Sequence, residues 1–268
     1  MNRHLLAGLL WAIFLVAYQS AAQSVGKWRA GSASELIGNV YTLNCFISEE
    51  GGNTWTPEEK QQVLEKQREA FAWIKQQALA YQVDVNFDAN GNFGLKEDIK
   101  MPVVERGTAS GKEPVDWVSR VLYKVGYKST QDFVKWVEKN TNTKQIQVII
   151  YAKGKGNGYA MASSTEMNKE LYFVEGAILY EKYNNGGDLA ASSIAHEILH
   201  LYGAWDLYKT FSQSAENEKR ARERFPNSIM LRTSYKINEL EIDELSAWLI
   251  GWNKSSKKWY ETFRPQRE

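Results

Sequence analysis

The sequence predicts an α+β fold. Short apolar runs of strand character alternate with longer stripes of helical period, in the order strand, helix, strand, helix, strand through the middle of the chain. The 268 residues suffice to bury a sizeable core as one large domain or two small ones. Beyond residue 204 the pattern is mostly helical and loop-like, which marks a smaller C-terminal part.

The first segment reads as an export signal. Residues 1–4 carry positive charge, residues 5–18 are apolar, and Ser20, Ala21 and Ala22 offer small side chains for cleavage. The apolar run is short for a membrane span, so the expected mature chain is 23–268, starting at Gln23 and secreted or periplasmic. Retention of the segment as an anchor is the alternative. Residues 39–47 read as a strand containing Cys45, the only cysteine, so no intrachain disulfide can form. A small buried hydrophobe is the expected role for Cys45.

A helix follows, starting at Thr56 as N-cap with Pro57 at the first position. Val63, Leu64, Phe71, Ile74, Ala78 and Tyr81 form its apolar stripe. Val83, Val85 and Phe87 alternate with polar residues as in a half-exposed strand. Residues 88–112 are polar and contain glycines, which predicts a loop. Residues 114–140 predict one or two helical pieces broken near Gly126, and residues 145–153 a strand centred on Val148, Ile149 and Ile150. A Gly- and Lys-rich turn then leads to Gly158, Tyr159, Ala160, Met161 and Ala162. It lacks the spacing of a phosphate loop. Residues 171–180 predict a further strand, with Asp188 placed to cap the next helix.

That next helix carries the chemistry. Two of the three histidines stand in His196-Glu197-Ile198-Leu199-His200. At this i, i+4 spacing both imidazoles leave one face of a helix and can share one metal ion. Glu197 lies between them, where its carboxylate can act on a water without being a ligand. Gly203 can take positive φ and end the helix. Asp206 then returns as a third ligand and completes HExxHxxGxxD, with one coordination position left open, as in catalytic zinc sites. Met230 follows in Pro226-Asn227-Ser228-Ile229-Met230, where it can pack beneath the histidines.

These residues resemble the metzincin clan of zinc endopeptidases, in the branch whose third ligand is aspartate. The close match spans roughly residues 188–235. The resemblance implies a Zn2+ cofactor held by His196, His200 and Asp206, with Glu197 as general base and Met230 as the Met-turn. It further implies a zincin-like architecture: a twisted mixed β-sheet backing the active-site helix, an N-terminal subdomain ending near Gly203, and a smaller helical subdomain over 204–268. In such folds an edge strand binds extended substrate by strand addition. Gly158, Tyr159 and Ala160 are its counterparts here. Tyr235 is the nearest tyrosine to the Met-turn and a candidate to stabilise an oxyanion, although its distance from Met230 departs from the usual pattern.

A rival third ligand is Glu239. With Asp243 it makes an ExxxD spacing like that on the ligand helix of thermolysin-like peptidases, at the start of a helix predicted over 240–252. Acidic residues favour a helix N-terminus in any case. A non-catalytic zinc-binding scaffold and a glycan- or surface-binding module are the alternatives from other classes. The intact Glu197 speaks against the scaffold, and a surface-binding module would not account for the metal motif. A net charge of +1 gives no support for nucleic-acid binding. The expected partner is a polypeptide substrate, with no stable membrane insertion. Nothing sets the oligomeric state, and a monomer is the default. The mildly basic stretch 254–267 reads as a frayed end.

Overall fold

The computed structural model describes residues 31–102, 117–141, 143, 145–162 and 173–265. The expected signal segment and its cleavage point lie outside these residues. Six strands form one sheet: β1 (Gly38–Glu49), β2 (Val85–Phe93), β3 (Ile99–Met101), β4 (Gln145–Lys155), β5 (Tyr159–Met161) and β6 (Gly176–Lys182). The order across it is β2-β1-β4-β6-β5, with β3 pairing β1 beyond β2. Every pairing is parallel except β5 with β6. The architecture is therefore mixed α/β around a mostly parallel sheet.

Parallel strands need covered faces, and two cores supply the cover. On one face Val40, Phe46, Ile149, Tyr151, Ala177 and Leu179 pack under helices α1 (Pro57–Ala80) and α4 (Ala191–Leu201). On the other, Leu43, Cys45, Ile47, Val148, Ile150 and Ile178 pack under α2 (Trp117–Lys124) and α3 (Thr130–Thr141). This two-sided burial explains why the middle of β4, residues 148–152, reads as an unbroken apolar run. The thiol of Cys45 is buried in β1, and burial pushes its pKa far up. It is an inert core side chain.

α1 starts as the sequence predicts. The Thr56 hydroxyl accepts from the Glu59 amide at 3.2 Å, and the Glu59 carboxylate accepts from the Thr56 amide at 2.8 Å. Its buried face also takes in two polar residues, Lys60 and Gln67. Gln67 donates to Asn44 of β1 at 2.6 Å. Lys60 pairs with Asp98 at 2.7 Å and donates to the carbonyls of Gly94 and Leu95. Those bonds pull the 94–98 segment onto the helix.

The expected loop over 88–112 is corrected for residues 88–102, and its remainder lies outside the described residues. β2 runs through to Phe93, and β3 lies within the same stretch. Short polar side chains masked these strands. Asn92 faces inward onto Asn44 at 2.9 Å, so a polar residue fills a core-facing place. The break between α2 and α3 does fall at Gly126, whose φ of 103 only glycine adopts at no cost.

The C-terminal part holds α5 (Ala215–Arg224), a 3-10 turn over Ile237–Glu239, α6 (Glu244–Leu249) and a 3-10 segment over Lys258–Phe263. The helix expected over 240–252 is thus much shorter, because Asp243 caps it late. Its carboxylate accepts from the amides of Leu245 and Ser246. The expected frayed end is also corrected. Tyr260 and Phe263 are buried, and Arg224 stacks 3.8 Å above the Trp259 ring. Among the described residues no helix is long and apolar enough to cross a membrane.

Candidate metal centre

α4 is apolar on nearly every side, with Ala191, Ile194, Ala195, Ile198, Leu199 and Leu201 all buried. It is wedged between the sheet, α1 and the C-terminal part, so its direction is fixed by packing. Its N-cap is Ala190, with no side-chain cap. The expected cap, Asp188, instead pairs with Lys182 at 3.3 Å, and its carbonyl accepts from Tyr235 at 3.1 Å. Two residues too early for the cap, it bridges to the end of β6 instead. The helix ends at Leu201, and Gly203 follows with φ 110. That positive φ lets the chain fold back along the helix face.

The reversal brings Asp206 to the histidines. Its Oδ1 lies 3.0 Å from His200 Nε2 and 3.3 Å from His196 Nε2. The two Nε2 atoms are 3.1 Å apart. Ligands around one zinc at ~2.0–2.1 Å sit roughly 3.3 Å from each other, so this spacing fits one ion. Each ring is aimed by its other nitrogen: His196 Nδ1 donates to the Ile229 carbonyl at 2.9 Å, and His200 Nδ1 to the Ala204 carbonyl at 2.8 Å. A carbonyl only accepts, so both Nδ1 atoms carry hydrogen and both Nε2 lone pairs converge. Converging lone pairs beside a carboxylate call for a cation. His196, His200 and Asp206 are the residues that together can hold a metal ion, their ligand atoms within 4.8 Å of one another.

Electrostatics agree. Burial opposes charge on His196, yet its hydrogen bond to Asp206 and the nearby Glu197 carboxylate outweigh this and push its pKa up to about 9. Burial also opposes charge on Asp206, and the two histidines hold its carboxyl well below the usual range. Without metal, the pair stabilises the fold fully between the ordinary Asp and His values of 3.8 and 6.5. The contribution from His196, whose folded pKa is raised, fades as pH rises through about 9. A metal ion reverses the trend, because it competes with protons for the same nitrogens. The expected result is a melting temperature falling from pH 6.5 to about 9 in chelator, and a zinc-induced gain growing over the same range. Calorimetry at both values, with and without zinc, checks it.

Glu197 stays outside the ligand set and lines a cleft of about 340 Å³ beside His196. Burial raises its pKa against the pull of both histidines, which suits a carboxylate that takes up and gives back a proton. Gly156, Asn157 and Gly158, which lead into β5, also line the cleft. A Cβ at Gly158, the residue before β5, would meet Leu179 at 3.0 Å and the Ile178 carbonyl at 3.1 Å, tighter than ordinary contact, and Glu197 Oε1 at an ordinary 3.8 Å. Tyr159 and Ala160 lie in β5, which pairs β6 and ends the sheet among the described residues, and neither of them lines the cleft.

Met230 is fully buried in the turn whose Ile229 carbonyl holds His196. The Leu207 amide donates to the Met230 carbonyl at 2.8 Å, tying the Asp206 loop to that turn. Tyr235 and Glu239, like Tyr159 and Ala160, lie outside the cleft lining. Tyr235 is 67% exposed and its hydroxyl goes to Asp188, so it does not line the cleft. Glu239 pairs with Lys236 at the surface, away from the histidines.

Sequence reasoning missed Tyr208 and the support behind the turn. The Tyr208 ring lies 6.2 Å from that of His196, and Tyr208 lines the cleft. Burial, then Asp206 and Glu197, keep the hydroxyl protonated far above neutral pH. Its place two residues after Asp206 was the available signal. Behind the turn, Ser228 donates to Asp243 at 2.6 Å and accepts from the Met230 amide at 3.1 Å.

No protein-family model matches the chain, and no curated protein matches it in sequence.

Proposed function

We propose that the chain is a zinc-dependent endopeptidase of zincin-like, metzincin-type architecture. One observation carries the reading: two imidazoles and a carboxylate converge at single-ion spacing, while Glu197 stands outside that set in the adjoining cleft. A structural metal site would use its ligands and need no further carboxylate. The element order supports the fold assignment, with a mixed sheet behind the histidine helix and a reversal at Gly203. Export rests on the sequence of residues 1–22 alone.

His196, His200 and Asp206 would hold the ion. When bound, zinc supplies Lewis acidity, polarising a peptide carbonyl and bringing water towards a pKa of ~7. The protein does the rest. The sheet edge at β5, entered through the cleft-lining Gly158, offers backbone groups to an extended polypeptide. Glu197 takes a proton from the attacking water and delivers it to the departing amine. Tyr208, kept protonated, donates a hydrogen bond toward developing negative charge on the carbonyl oxygen. Peptide, hydroxyl and proton leave as a carboxylate and an amine, so nothing else is consumed.

The ligand assignment has its own test. Asp206→Ala should weaken zinc affinity at least about 100-fold, whereas Glu239→Ala should leave it unchanged. Competition titration against a chromophoric chelator reads both. Loss of zinc in Glu239→Ala with retention in Asp206→Ala would contradict the assignment.

A further inference from the structure

Charge in the cleft is unbalanced in a way the hydrolytic chemistry does not use. Among the described residues that line it, Arg232 is the only arginine or lysine and Glu197 the only Asp or Glu. Arg232 follows Met230 by two residues and lines the cleft together with its neighbours Leu231 and Thr233. It is half-buried. Its guanidinium has no Asp or Glu carboxylate within 4.0 Å among the described residues, whereas Arg220, Arg222 and Arg264 pair with Glu216, Glu218 and Glu261. Its side-chain bonds are two long ones, from Nε to the Pro226 carbonyl at 3.3 Å and from a terminal nitrogen to Asn227 Oδ1 at 3.4 Å. These orient the guanidinium and leave most of its five donors uncommitted. With a divalent ion in place, the carboxylates of Asp206 and Glu197 offset its charge. Arg232 then leaves the cleft positive.

We infer that Arg232 selects polypeptides that present a carboxylate, from an Asp or Glu side chain or from a free C-terminus, within about two residues of the bond cleaved. The reach follows from scale. A cleft of about 340 Å³ holds both Glu197 and Arg232, and an extended peptide advances ~3.3 Å per residue. The guanidinium fork matches a carboxylate with two parallel hydrogen bonds. Lysine-bearing sequences are disfavoured by the same charge. This selectivity rests on the peptidase reading, but it is a property of binding and can be measured without turnover.

The test uses the zinc-loaded full chain carrying Glu197→Gln, so that bound peptide is not consumed. The probes are fluorescein-labelled alanine octapeptides with one Glu walked through each position, the Gln counterparts, and free or amidated C-termini, read by anisotropy. Glu peptides in one register, or free C-termini, should bind roughly ten-fold tighter than their neutral partners. The preference should shrink with added salt. Adding Arg232→Gln should erase it, Arg232→Lys should keep part of it, and Arg232→Glu should shift preference to Lys peptides, with melting temperature and zinc content unchanged throughout. A response to side-chain Glu alone names internal acidic sites, and a response to the free C-terminus alone names chain ends. Equal binding of acidic and neutral peptides, no measurable binding of any acidic peptide, or a preference that survives Arg232→Gln would overturn the inference. Failure of the peptidase reading is distinct: the unsubstituted chain would then cleave none of these peptides, whatever the anisotropy shows.

Discussion

Glu197→Gln is expected to slow peptide hydrolysis by about 10³-fold while zinc affinity stays within a few-fold of the unsubstituted chain. The separation of the two readouts is the point. Glu197 belongs to the helix turn that bears both histidines, yet its carboxylate lies outside the converging set of His196, His200 and Asp206 and faces the cleft. An amide there fills the same volume, so packing of α4 is preserved. It cannot accept a proton at neutral pH, so proton transfer from water to amine fails. Rate measurements on an unfolded polypeptide, with zinc content determined on the same samples, check both halves. A parallel loss of zinc would place Glu197 among the ligands instead.

Asp243→Ala should destabilise the fold by about 3 kcal/mol and loosen zinc binding by about 10- to 100-fold. Asp243 is buried, and its carboxylate accepts from the Leu245 and Ser246 amides and from the hydroxyls of Ser246 and Ser228, both at 2.6 Å. Truncation leaves these donors without their acceptor in a site closed to water, each costing ~1 kcal/mol or more. The second effect runs through Ser228. That hydroxyl also accepts from the Met230 amide, and the residue between them, Ile229, supplies the carbonyl that aims His196. The Ile229 amide is itself held by the Glu241 carbonyl at 3.0 Å, two residues before Asp243. Asp243 is thus a positioning residue for the metal site and not a ligand. Denaturant titration reads the first effect and chelator competition the second. An Asp243→Ala protein that unfolds at the usual denaturant concentration would contradict this account.

The same residue shows where the sequence was legible and where it was not. Local spacing carried far. The i, i+4 histidines, the helix-ending glycine and the returning aspartate lie within eleven residues of one another, and the chain path between them is short enough for the pattern to dictate the geometry. The start of α1 was readable for the same reason, since a capping box is a four-residue motif. Asp243 was different. Its acidic character and its place before a helix were visible, but its bond to Ser228 joins residues 15 apart through a turn, and spacing alone left it beside Glu239 in a ligand motif.

Strands filled by polar side chains were illegible for a related cause. Asn92 faces inward because Asn44 of the neighbouring strand meets it, itself held by Gln67 of α1. Composition alone makes the segment look like loop. Tyr235 was the nearest tyrosine to the Met-turn along the chain, whereas Tyr208 is the one that comes near the histidines in space. Sequence distance misleads once the chain reverses. The reversal at Gly203 was predictable, but the side chains it would carry into the cleft were not.

The most direct test of a zinc peptidase centred on these residues is hydrolysis of an unfolded polypeptide by the purified chain, stripped of metal and then titrated with zinc. The account predicts no cleavage in the stripped protein and recovery that saturates at one zinc per chain. Cleavage that persists after complete removal of metal, or a protein that takes up one zinc and cleaves no unfolded polypeptide, would contradict it.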